Sequence, residues 1–415
     1  MNDPLELEYR KAVEALRSGV PNHAVAKHLG TTQEKIEERF LEALQENEEG
    51  VLNQIQVPGL LIDGNFGSGK SHLLEHLRWL AKEKNYVCSK VVISKETPLF
   101  DLHKIFRSAV DQSELPQIRG NALTEAVLKI PNDTQKYTKF YRWASDPDSG
   151  LNDRFPASLH LYGKLQNDSD VCQRLVSFWS GDPITKSELK KYLKYIEAKT
   201  MYNITGIVQK ELAFQRFKFI ARLFTASGYS GWVLLLDEVE LMGRYSILQR
   251  ARAYADLAVL CGKIENQGFP GLITAAAITS DYGAVFFDKK DDENAIVKRL
   301  AEKLEAKEPA LISQAMTGIR MIQKESLPLD SPTKEQIHET YGKIKEMYGK
   351  AFDFEPPELS IEYAEASKGM RQYVRRWIQE WDLKRLYPYY SPDIEEKEIK
   401  MDYEEDAALE EFFKS

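Results

Sequence analysis

One eight-residue run constrains this chain more than any other: Gly64-Asn65-Phe66-Gly67-Ser68-Gly69-Lys70-Ser71, a full GxxxxGK[ST]. Its spacing answers a physical need. Glycines let consecutive backbone N–H groups curl around phosphate oxygens, and a helix starting at Lys70 aims its positive dipole end at the same point. The Lys70 ammonium can reach the β- and γ-phosphates of a nucleotide, and the Ser71 hydroxyl can ligate Mg2+. The context agrees: residues 60–62 read as a short buried strand before the loop, and 70–82 as a helix after it. The chain is therefore expected to be an α/β protein built around a nucleotide-binding P-loop.

A second signal lies at Trp232-Val233-Leu234-Leu235-Leu236-Asp237-Glu238. The carboxyl ends of parallel strands converge on the ligand in such sheets. Asp237 is assigned to the Mg2+ water shell, and Glu238 to polarising an attacking water as general base. A third, weaker candidate is Thr279 (with Ser280 and Asp281) at the end of an apolar run over 272–279, where a small polar group could hydrogen-bond the γ-phosphate. No guanine-reading Asn-Lys-x-Asp string occurs, which favours ATP over GTP.

Around these motifs the pattern alternates. Strands are expected at 87–94, 232–236 and 272–279, and helices at 99–110, 206–226 and 246–262, which implies a mostly parallel sheet covered by helices. A further strand is expected at 319–323. From about 113 to 205 the alternation lapses into a helical insertion, where Lys186, Lys190, Lys191, Lys194 and Lys199 interleave with Tyr192 and Tyr195. Residues 1–48 read as a helical cap whose middle, Gly30-Thr31-Thr32, suits a helix-turn-helix; its would-be reading helix at 33–44 carries Glu34, Glu37, Glu38 and Glu42 and suits a phosphate-lined groove poorly. The ATPase body spans 49–326, a helical lid 327–390, and an acidic tail 391–415.

Charge follows the same division. The formal net charge is -8 over 415 residues, yet 1–50 carry -5 and 391–415 carry -7, leaving the middle at +4. Nucleic-acid contact, if made, is through that basic middle. The apolar stretches at 234–236 and 273–278 fall far short of the roughly 18–20 residues of a membrane span, and the mixed-charge N-terminus does not resemble a secretory signal. Cys88, Cys172 and Cys261 lie far apart in no metal-binding spacing and are expected to be reduced thiols of a cytoplasmic protein.

With these residues in view, the chain over about 50–390 resembles AAA+ ATPases of the origin-recognition type. The resemblance implies that Thr279 or Ser280 is a sensor on the third strand end. It also implies that Gly369-Met370-Arg371-Gln372-Tyr373-Val374-Arg375 is the lid helix whose arginine, Arg371 or Arg375, reaches the γ-phosphate. An arginine finger from a neighbouring subunit is implied as well, with Arg299 the choice over Arg320, and hence a homo-oligomer. The winged helix usual in that family has no counterpart in the acidic tail. A closer resemblance is to the ATP-binding proteins of bacterial BREX phage-defence systems, the BrxD-like group. It is carried by residues 10–40 with Ala15-Leu16-Arg17-Ser18-Gly19-Val20-Pro21-Asn22, by GNFGSGKSHLL, and by GWVLLLDEVELMGR. It implies Mg-ATP hydrolysis for conformational work beside other defence proteins. The alternatives are an ATP-dependent switch of low turnover that recruits effectors, or a DNA-binding regulator using the N-terminal helices.

Overall fold

The computed structural model describes residues 4–117, 120–303, 310–361 and 369–389. At its centre lie β1 (Leu60–Asp63), β2 (Tyr86–Val92), β3 (Ser113–Glu114), β4 (Gly231–Asp237), β5 (Leu272–Ile278) and β6 (Leu327–Pro328), hydrogen-bonded in the order β3-β2-β4-β5-β1-β6. All neighbours run parallel except β2 with β3. β4 and β5 are buried along their whole length, as strands covered on both faces must be. Their side chains alternate between two cores: Trp232, Leu234 and Leu236 face one, Val233 and Leu235 the other.

The first core takes in helices Leu102–Asp111, Gln209–Ala226, Ile247–Leu260 and Ala310–Lys324. The insertion helices share it through Phe155, Leu175 and Trp179, so the insertion is an extension of this core. The second core lies under helices Glu34–Asn53 and Lys70–Glu83. Register leaves Asp63, Ile278 and Asp237 at the same edge of the sheet.

The strand expected at 319–323 is instead part of helix Ala310–Lys324. Its buried residues are Leu311, Ala315, Gly318, Ile319, Met321 and Ile322, of which 311, 315, 318, 319 and 322 follow helical spacing over a longer window than the short apolar run suggests. Gly318 lets this helix lie close on helix Ile247–Leu260: a Cβ there would come 2.1 Å from the Tyr254 carbonyl oxygen. The last strand is the short β6, beside β1.

The N-terminal helices divide between two neighbours. Helix Glu34–Asn53, across whose middle the expected boundary at 48 falls, packs Ile36, Phe40, Ala43 and Leu44 onto the sheet. Helix Pro4–Ser18 instead joins helices Lys334–Phe352 and Met370–Leu386 in a third cluster, where Val13 meets Tyr341, Ile344, Tyr348, Trp377 and Trp381. Arg17 binds Asp382 with two hydrogen bonds of 2.9 and 2.8 Å, and Arg10 donates to the Ala351 carbonyl at 2.7 Å. Helices Pro4–Ser18, Lys334–Phe352 and Met370–Leu386 thus pack together as one helical unit. The tail at 391–415 lies outside the described residues. No described helix is long and apolar enough to cross a membrane, and the cysteines are free, Cys88 and Cys261 buried and Cys172 half-buried.

A buried ion pair secures the chain beyond β5. Arg250 holds Asp292 through two hydrogen bonds of 2.8 Å, and Tyr254 donates to the same carboxylate at 2.9 Å. Asp292 is 0% exposed and Arg250 3%. Asp292→Ala leaves a guanidinium buried without its carboxylate and is expected to cost about 3–5 kcal/mol of stability, seen as a lowered urea midpoint.

Candidate nucleotide site

The P-loop grows directly out of β1. The Gly64 amide donates to the Ile278 carbonyl at 3.2 Å, and the Ser68 amide to Asn65 at 3.1 Å, closing the turn. Gly67 and Gly69 take φ of +75° and +109°, conformations that residues with a Cβ rarely adopt. Helix Lys70–Glu83 then starts with no side-chain cap, which leaves first-turn N–H groups to an anion. The Lys70 ammonium donates to the carbonyls of Gly64 at 2.7 Å and Asn65 at 3.2 Å. Burial pushes its pKa down, while Glu240, Asp237, Asp281 and Asp63 act the other way.

β4 delivers the carboxylates. Asp237 is buried; its Oδ2 pairs with Lys90 on β2 at 3.2 Å, and its Oδ1 accepts from the Glu238 amide at 3.1 Å. Lys90 also reaches Glu75 of the P-loop helix at 3.3 Å, so one cation ties β2, β4 and that helix together. Glu238 has φ +58° and ψ +38°, a left-handed conformation costing a non-glycine residue about 1–3 kcal/mol. The chain turns there into a short 3-10 helix, Val239–Arg244, and both Glu238 and Glu240 line the P-loop pocket. Burial, then the neighbouring Asp237, raises the Glu238 pKa. Burial raises Glu240 further, to about 7, against the opposing charge of Lys70.

Helix Met370–Leu386 borders the same pocket. Gly369 rests on the P-loop so closely that a Cβ would lie 2.3 Å from the Gly67 carbonyl oxygen. The next turn puts Arg371 in the pocket, its guanidinium 5.9 Å from the Phe66 ring centroid and against Gly19 of the cap. Arg375 is exposed and outside it. The same pocket is also lined by Leu29, Gly30, Thr31, Thr32 and Gln33 of the cap and by Thr340, Met370 and Val374. Gln33 and Asp330 join by reciprocal bonds of 3.0 and 2.9 Å, and His72 bonds to the Gly30 carbonyl at 2.8 Å.

Sequence reasoning and geometry thus overlap in large part. Phe66, Gly67, Ser68, Gly69, Lys70, Ser71, Asp237, Glu238 and Arg371 come together around one pocket. Thr279 is buried at the end of β5, between the P-loop strand and β4, and does not line the pocket. Arg299 lies exposed on helix Asp292–Lys303, away from it. Glu240, Lys90 and the cap loop were missed; only Glu240 had a local signal, the Asp-Glu-Val-Glu spacing.

The polar atoms fit a phosphate ligand. Two donors, Ser68 Oγ and Arg371 Nε, are buried with no hydrogen-bond partner, and buried polar groups normally have one. Ser71 and Asp237 are the residues that would hold Mg2+.

A parallel sheet with a glycine-rich loop at its edge, a lysine inside the loop and carboxylates facing it defines a nucleotide-binding α/β protein. The chain belongs to the BREX system ATP-binding protein BrxC/D family, which matches residues 6–383. No curated protein and no solved structure matches it.

Proposed function

We propose that the protein is a Mg-ATP-dependent ATPase of the AAA+ type, working as a homo-oligomer with other proteins of a BREX defence system in the cytoplasm. One observation supports this above the rest: two buried donors without hydrogen-bond partners, Ser68 Oγ of the loop and Arg371 Nε of helix Met370–Leu386, line the pocket that holds Lys70. Lys70 and the loop amides bind the β- and γ-phosphates, and Ser71 and Asp237 hold the ion, which supplies charge neutralisation when bound. Glu238 accepts a proton from the attacking water, and Arg371 draws the lid onto the phosphates. An arginine, Arg299 in this reading, completes the neighbour's site.

The lysines 186, 191, 194 and 199 are exposed, as is Tyr195 at 79%. They favour DNA contact through the insertion over the N-terminal helices, whose acidic third member packs onto the sheet. The test is phosphate release and particle size, each followed with and without ATP and DNA at rising salt. ATP-dependent assembly with turnover supports the proposal, and weakening of any DNA effect by salt marks phosphate contacts. ATP held unhydrolysed at enzyme excess, with and without DNA, would favour the low-turnover switch.

A further inference from the structure

Helix Lys186–Tyr195 of the insertion breaks a charge pattern that other helices of this protein keep. In helices Lys334–Phe352 and Met370–Leu386, lysines stand four residues after glutamates and pair with them: Glu339 with Lys343, Glu346 with Lys350, Glu380 with Lys384. Here lysines follow lysines instead. Lys186, Lys190 and Lys194 form one row with Lys191 beside it, and like charges at that spacing repel. The single acid of the helix, Glu188, is held by Arg174 at 2.7 and 3.1 Å. Over 186–200 the only other acid is Glu197, and among the described residues none of these lysines, nor Lys199, has a carboxylate partner. Folding does not require such a face. Leu189 and Leu193, both 0% exposed, fix the helix on the core, and a Thr185–Glu188 capping box starts it. Tyr192 packs against that core, whereas Tyr195, one turn from Lys191 and next to Lys194, stands out at 79% exposure.

We propose that this face binds single-stranded DNA, with Lys186, Lys190 and Lys194 following its phosphates and Tyr195 stacking on a base. The inference deepens, and rests on, the reading that the insertion contacts DNA. Neighbours in the lysine row are about 6 Å apart along the helix axis, on the scale of the step between successive phosphates of one strand. Cations alone would accept any phosphate chain, so the ring decides the form. In a duplex the bases are already stacked on one another, whereas an unpaired strand leaves their faces open to an aromatic side chain. A groove of cations with an exposed ring holds such strands with little regard to sequence, since every base offers a face.

The experiment follows the fluorescence anisotropy of a labelled oligothymidylate, and of a mixed-sequence duplex of equal length, against the full chain at several salt concentrations. The variants are a triple, Lys190→Gln and Lys194→Gln with Lys186→Gln, the same three lysines changed to Arg, and Tyr195→Ser. Wild type is expected to bind the single strand more tightly than the duplex. The Gln triple is expected to bind it roughly 10-fold or more weakly, with the log–log salt slope shallower by about 2, while the Arg triple keeps both. Tyr195→Ser is expected to lose roughly 5-fold or more with an unchanged salt slope. Matching thermal melts confine these losses to binding. A Gln triple that binds as wild type overturns the proposal, as does undiminished binding by Tyr195→Ser or a duplex bound more tightly than the single strand. Failure of the underlying reading looks different: wild type then binds neither DNA at the lowest salt, with or without ATP.

Discussion

Lys70→Ala is expected to weaken ATP binding by at least about 30-fold, since truncating one partner of a buried, hydrogen-bonded charge pair costs about 2–5 kcal/mol. The ammonium is positioned for this role by the Gly64 and Asn65 carbonyls, and no other cation is held inside the loop by its backbone. The fold should survive. Burial opposes the charge on Lys70, so its removal relieves a desolvation cost and leaves only two loop carbonyls to rehydrate. Calorimetric titration beside a thermal melt separates the two effects. Binding within about threefold of wild type, with a normal melt, would contradict the site assignment.

Glu238→Gln should do the reverse: ATP affinity near wild type, with single-turnover phosphate release slowed by about 10²–10⁴-fold, the usual contribution of a positioned general base. Glutamine keeps the length of the side chain and can hold the same backbone, but cannot take a proton from water. The strained conformation at this residue, φ +58°, argues that the turn is kept to aim the side chain, because an unstrained residue would serve a plain strand end better. A rate within a few-fold of wild type would remove Glu238 from the chemistry and leave Glu240 or a neighbouring subunit to supply the base.

The sequence was most legible where the physics is local. A loop that wraps phosphates with consecutive amides needs consecutive residues, so 64–71 could be read directly. The strand ending in Asp237-Glu238 was legible for a similar reason: a run buried on both faces is apolar at every position. The error at 319–323 came from a short apolar window, which does not separate a buried helix from a strand; the full turn-by-turn pattern from Leu311 to Ile322 does.

The sequence by itself therefore determined the ligand class, the α/β framework and the identity of the loop, because these depend on residue types at fixed spacing. Only the tertiary structure decided what each amphipathic face meets. The cap's third helix packs on the sheet, and its first packs on the lid through Arg17 and Asp382, 365 positions apart. Arg371, rather than Arg375, turns into the pocket, and Glu240 lines it from beyond a left-handed turn. Periodicity states that a face is buried, whereas its partner is fixed by the close packing of segments far apart along the chain, and no local spacing encodes that.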